Sequence, residues 1–177
     1  AAGVIDLYQR KARAWIESRA RAGLFEKPWL DRFRALVPPE APILDIGCGS
    51  AEPMADYLIG LGHPVVGVDS STAMIDACRG RFPTQQWIVA DMRELALPRQ
   101  FSGILAWDSF FHLGYDDQRR MFPVFRRHAR AERGADVHER PGAWRGDRES
   151  WRRAAVSCEP RPRRVSLAAR SKRVSRG

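Results

Sequence analysis

Four aspartates, Asp45, Asp69, Asp91 and Asp108, each follow or close a short apolar run, and the first is followed at once by a turn holding Gly47 and Gly49. One acid after a strand is an ordinary helix cap; four at corresponding places are harder to assign to capping alone. The glycines let a backbone approach a ligand where a side chain would clash. Asp45 puts negative charge beside that turn, which repels a pyrophosphate and suits a cation. Asp69 lies 22 residues beyond Gly47, where a carboxylate can accept hydrogen bonds from both hydroxyls of a ribose. Asp91 can accept from an exocyclic amine such as that of adenine. Met74, Ile88 and Met92 offer apolar contact for a base, although Met at helical spacing also serves as core. An NAD-type turn wants a third glycine three residues after Gly49, and that place holds Glu52. His112 and Asp108 are the local candidates for moving a proton, if a base is needed; packing or capping accounts equally for the histidine.

Alternating strands and helices must hold these residues. The apolar runs predict strands over Ile43 to Ile46, Val65 to Asp69, Trp87 to Ala90 and Ile104 to Trp107. Between them, helical spacing predicts helices from Pro53 to Leu61, from a cap at Ser70 or Ser71 to Phe82, and from about Asp116 to Arg127. Pro83 stops the second of these, and Pro38-Pro39 ends a helix predicted from Lys27 to Val37. A further helix is expected from Asp6 to Arg21. The two N-terminal helices act either as packing layers or, through Tyr8 and Trp15, as cover for the ligand pocket. This order predicts an α/β fold: a Rossmann-like parallel sheet with helices on both faces, whose ligand gathers at the carboxyl ends of the strands.

At these residues the chain resembles the class I S-adenosylmethionine-dependent methyltransferases. Leu44-Asp45-Ile46-Gly47-Cys48-Gly49 looks like their first motif, Val66-Gly67-Val68-Asp69-Ser70-Ser71 the second, Val89-Ala90-Asp91-Met92 the third, and Gly103-Ile104-Leu105-Ala106-Trp107-Asp108 the fourth. The resemblance implies S-adenosylmethionine as cofactor and transfer of its methyl group to an acceptor. It places Asp45, Gly47, Cys48 and Gly49 at the methionine end, Asp69 with Ser70 at the ribose, and Asp91 with Met92 at the adenine, with Met74 and Trp107 lining the same pocket. Ala51 stands where the family often has a third glycine. The aromatics around His112 hint at a small-molecule acceptor, although core packing explains them as well. No metal site is expected.

The chain of 177 residues has a net charge of +9, unevenly spread. Residues 1–130 hold 17 Lys/Arg against 15 Asp/Glu, and residues 131–177 hold 13 against 6. The expected organisation is a helical cap over 1–40, a cofactor-binding core over 41–130 and a basic tail of low hydrophobicity over 131–177. No apolar run approaches the ~20 residues of a membrane helix. Cys48, Cys78 and Cys158 are too far apart for a disulfide framework or a zinc site, so a reducing cytoplasm is expected. The chain opens Ala-Ala-Gly, which reads as a fragment or a processed start.

The tail has no Ile, Met, Phe or Tyr and cannot bury enough surface to offset its ordering entropy. Three readings stand: a disordered tail, a basic arm for nucleic acid, or a segment translated out of frame. The third rests on codon arithmetic. Shifting the frame by one base lets Ala135 to Pro141 read Leu-Met-Phe-Thr-Ser-Gly-Pro, an apolar strand where a fifth strand belongs; the same shift lets Leu167 to Val174 read Leu-Leu-Leu-Ala-Ala-Asn-Gly-Phe. On that reading the sheet is incomplete at its C-terminal strands, the fourth strand is left at an unprotected edge, and the copy is weakly active or inactive.

Overall fold

The structure, a computed structural model, describes the backbone of residues 2–130 and 137–138 and the side chains of 10–19 and 21–130. Two helices, α1 (Ala2–Ala22) and α2 (Lys27–Leu36), precede the alternating part. There follow β1 (Ile43–Ile46), α3 (Met54–Gly60), β2 (Val65–Asp69), α4 (Thr72–Arg81), β3 (Gln86–Val89), β4 (Gly103–Leu105), α5 (Tyr115–His128) and β5 (Val137–His138), with 3-10 turns at Met92–Glu94 and Phe110–His112. From α1 to α5 the order expected from apolar periodicity is the order found.

The strands form one sheet in the order β3-β2-β1-β4-β5, every pair parallel. Strand side chains alternate, so each face collects its own core. Ile43, Val65, Trp87 and Leu105 pack with Leu30 and Phe33 of α2, Leu58 of α3 and Ile75 of α4. On the other face Leu44, Ile46, Val66, Val68 and Ile104 pack with Met121 and Phe125 of α5. Burying each such side chain stabilises by about 1.5–3 kcal/mol, which is why the helices lie on both faces. Ser71 caps α4, its hydroxyl accepting from the Met74 amide. Gly67 makes room in β2: a Cβ there would lie 2.3 Å from the Trp87 ring and 2.9 Å from Cys48 Sγ.

Three expectations change. Trp107 is not part of a strand, because β4 ends at Leu105; the chain leaves the sheet early to reach Asp108, whose φ is +49°. The acids are not at one common place on their strands: Asp45 lies inside β1, paired in register between Gly67 and Leu105, while Asp91 and Asp108 lie beyond their strands. Finally, β4 is not a bare edge. Ile104 pairs with Val137 and Leu105 with His138, a two-residue strand in the frame as written where none was read from the sequence; among the described residues no further strand follows it, in keeping with the expected sheet incomplete at its C-terminal strands. The rest of 131–177, with its disordered, nucleic-acid and out-of-frame readings, lies outside the described residues. No described helix is long and apolar enough to cross a membrane.

Candidate functional site

Strand order reverses between β1 and β4, and ligands of open α/β sheets bind where that happens, outside the carboxyl ends of the strands. A cleft with a cavity volume of about 280 Å³ opens there. Its lining brings together Asp45, Gly47, Cys48, Gly49, Asp69, Ser70, Met74, Asp91, Met92, Trp107, Asp108 and His112, while Ile88, named with Met74 and Met92 as apolar contact for a base, is not among the described lining residues.

Backbone hydrogen bonds shape the turn after β1. The Gly47 and Cys48 amides both donate to the Val68 carbonyl, at 2.7 and 3.1 Å. Gly47 (φ +76°) has no room for a side chain, since a Cβ would sit 2.2 Å from Ser109 Cβ. Ser109 is fixed in turn by its hydroxyl, which donates to the Ile46 carbonyl at 2.7 Å. Ala51, in the place of a third glycine, adopts φ +70°, a left-handed conformation that costs an L-residue about 1–2 kcal/mol. The chain keeps the glycine conformation there without the glycine.

The acids have different environments. Asp45 is buried, and burial together with the Asp69 charge pushes its carboxyl up to about 7. Asp69 accepts from the Gly49 amide at 3.0 Å and the Ser71 amide at 2.8 Å. Burial raises its carboxyl and these backbone bonds partly offset the rise. Asp91 caps the following 3-10 turn by accepting from the Arg93 amide, and the Arg93 side chain lies against both its oxygens, which holds its carboxyl below the ordinary range. A carboxylate has about four acceptor sites, so an exocyclic amine can still be accepted beside Arg93.

His112 is half-buried, with its ring 4.2 Å from the ring of Phe111. Burial lowers its pKa below the ordinary 6.5, against the opposing pull of Asp108. A histidine so placed is neutral at pH 7 and able to accept a proton. Burial also raises the Cys48 thiol, beside Cys78.

Several lining residues were not legible in the sequence. Trp15 was one of two aromatics considered as cover, and its ring lies 3.3 Å from where a Cβ of Gly49 would be. Tyr8, the other, lies outside the described side chains. Arg19, Glu52, Arg93, Ser109 and Phe111 also line the cleft, and Glu52 is ion-paired with Arg81. Polar residues on an N-terminal helix and in loops carry no periodic signal that would have found them. Among the described residues no group of three or more ligating side chains could hold a metal ion.

A model of the methyltransferase domain matches residues 43–132, just over half of the chain. No curated protein matches significantly. Among solved structures, a TehB-like SAM-dependent methyltransferase from Corynebacterium glutamicum is 24% identical with a TM-score of 0.67, the alignment covering 88% of this chain and 83% of that one. The sugar N-methyltransferase KedS8 from Streptoalloteichus sp. is 23% identical (TM-score 0.55; 64% and 46% covered). CalS10, a SAM-bound amino pentose methyltransferase from Micromonospora echinaspora, is 23% identical (TM-score 0.55; 77% and 54% covered). The chain thus spans most of the first of these and about half of the other two. At these identities the likeness establishes the shared fold.

Proposed function

This chain belongs to the methyltransferase-domain family, which uses S-adenosylmethionine as methyl donor, and on that premise we propose that the cleft transfers a methyl group to the nitrogen of a small amine. The observation that carries the cofactor side is the convergence of Asp45, the Gly47–Gly49 turn, Asp69 and Asp91 on one cleft at the strand switch. Asp45 and the turn hold the methionine end, Asp69 with Ser70 the ribose, and Asp91 with Met92 the adenine. Met74, Cys48 and Trp107 supply apolar wall. Residues 1–40 act as a cap on the core of 41–130.

When bound, the cofactor supplies a methyl group on a sulfonium, a leaving group good enough that positioning and desolvation carry much of the acceleration. The chain's own task is to exclude water and manage charge. An amine arrives protonated and must lose its proton before its lone pair is available. Asp108, in the same lining, favours the cation, and neutral His112 takes the proton. Phe111 and Trp15 give the amine an aromatic wall, which suits a cation. That KedS8 is named a sugar N-methyltransferase and CalS10 an amino pentose methyltransferase supports nitrogen as the acceptor.

Thermal unfolding with S-adenosylhomocysteine and, separately, with NAD tests the cofactor reading. A ligand at 100 times its Kd stabilises by about 2.7 kcal/mol, so the homocysteine product should raise the midpoint by several degrees while NAD leaves it unchanged. Stabilisation by NAD alone would overturn it. Incubation with matched small amines and alcohols should yield S-adenosylhomocysteine with the amines; turnover confined to alcohols would refute nitrogen as the acceptor.

A further inference from the structure

Two cationic side chains line the cleft, Arg19 and Arg93. Arg19 donates to Glu26, whose side chain is wholly buried. Arg93 grips Asp91. Its backbone amide donates to Asp91 Oδ1 at 2.9 Å, its Nε lies 3.0 Å from both carboxylate oxygens, and one terminal nitrogen donates to Oδ2. The other terminal nitrogen donates to Asp117 at 3.2 Å. Asp117 stands in the first turn of α5, soon after the lining residues Phe111, His112 and Leu113. One guanidinium thus ties the acid that follows β3 to the start of α5.

The fold does not depend on this bridge. The side chains of Arg93, Asp91 and Asp117 are 34%, 28% and 23% exposed, and ion pairs so open to water and salt add little stability. Other contacts hold the same segment on α5. Leu95 is buried in one cluster with Met121 and Phe125, and the Leu97 amide donates to His128 Nε2 at 2.9 Å. What the bridge adds is direction. A guanidinium fork fixes the plane of the carboxylate it grips, and Asp117 fixes the guanidinium from its other end. A carboxylate has about four acceptor sites. The amide, Nε and terminal nitrogen of Arg93 engage most of them, which leaves about one for a base.

A single fixed acceptor distinguishes bases that differ at one position. Adenine carries a donating amine at C6. Hypoxanthine carries a carbonyl there, which a carboxylate repels, with an N1–H donor beside it. A carboxylate free to turn can follow the N1–H; a clamped one cannot. We propose that Arg93 is a positioning residue: its fork on Asp91, braced by Asp117, fixes the acceptor left for the base and sets a preference for adenine over hypoxanthine. The proposal rests on the cofactor reading above, in which Asp91 takes the adenine amine.

Calorimetry on the full chain with S-adenosylhomocysteine and S-inosylhomocysteine tests it. The wild type should prefer the adenine ligand by about 10-fold or more, the worth of one hydrogen bond to a charged group. Arg93→Met should remove most of that ratio, weakening S-adenosylhomocysteine while S-inosylhomocysteine stays within threefold or tightens. Arg93→Lys keeps the charge without the fork and should lose the ratio nearly as far. Asp117→Asn should lose less of it, and adding Asp117→Asn to Arg93→Met should change nothing more. Equal weakening of both ligands by Arg93→Met marks a merely structural role and overturns the proposal, as does an unchanged ratio or full rescue by lysine. Where Arg93→Met fails to fold, Arg93→Lys and Asp117→Asn give the same comparison. A wild type that binds both ligands equally also overturns the proposal and leaves the cofactor reading standing; a wild type that binds neither sinks the cofactor reading.

Discussion

Replacing Asp45 by Asn should stabilise the unliganded protein and impair its use of a sulfonium. The carboxyl is buried beside Asp69 and is raised from its ordinary 3.8 to about 7, with no hydrogen bond to offset either cause. Because the folded pKa lies above the unfolded one, the folded state holds a proton that the unfolded state has released between those values. The associated stability is present below about pH 4 and is lost as pH rises through 7. A rise of that size corresponds to about 4 kcal/mol at pH 8. Asn keeps the shape and has no charge to desolvate, so Asp45→Asn should be more stable than the parent by up to about 4 kcal/mol at pH 8, or roughly 10 °C in Tm. At pH 4 the two should nearly coincide.

Urea unfolding of both proteins at pH 4 and pH 8 measures this difference. Calorimetry supplies the functional half. A sulfonium favours ionised Asp45, so S-adenosylmethionine binding at pH 7 should release about half a proton. Neutral S-adenosylhomocysteine should release less, and Asp45→Asn should release none. An Asn variant less stable than the parent at pH 8, or a stability difference independent of pH, would refute the idea that this carboxylate is kept at a cost for a cationic ligand.

Other substitutions test the turn and the proton acceptor. Gly47→Ala places a Cβ against Ser109 at a positive φ, and chemical denaturation should show a loss of more than about 2 kcal/mol along with loss of S-adenosylhomocysteine binding. Ala51→Gly relieves about 1–2 kcal/mol of left-handed strain and returns about 0.4–1 kcal/mol to the unfolded chain; the urea midpoint should rise slightly at constant m. Turnover of an amine should increase with pH and level off below 6.5, because burial lowers the His112 pKa and only the neutral ring accepts a proton. His112→Asn should abolish that limb and slow turnover about 10²-fold or more, while Asp108→Asn should move the limb to lower pH. A profile unchanged by His112→Asn would remove it from the chemistry.

The core was legible because each strand carries its own punctuation. Ile43-Leu44 before Asp45-Ile46-Gly47 and Val65-Val66-Gly67-Val68 before Asp69 leave little choice of element or end. The cap of α4 resolved to Ser71 because its hydroxyl reaches the Met74 amide. What escaped depends on contacts distant in sequence. Ser109 is fixed by a carbonyl 63 residues earlier, and Arg93 bridges to Asp117, 24 residues later. Arg19 looked like one more charge on a polar helix until Glu26 was found buried beneath it. The short β5 was missed because Val137–His138 has no apolar run, and only pairing with Ile104–Leu105 makes it a strand.

That pairing separates two questions the sequence had joined. Every described residue that lines the cleft lies between Trp15 and Leu113, so among the described residues the cleft's walls draw on nothing beyond Leu113. The sheet beneath them does: β4, which carries Leu105 beside Asp45, has β1 on one side and, among the described residues, Val137–His138 of β5 on the other. β5 pairs with two of the three residues of β4, Ile104 and Leu105. Damage to the basic segment should therefore act first through the rigidity of β4 and the Asp108–His112 loop that follows it, and only later through the glycine turn, which is braced by Val68 and Asp69 on the far side of β1. Binding of the cofactor should survive changes in the tail that turnover does not.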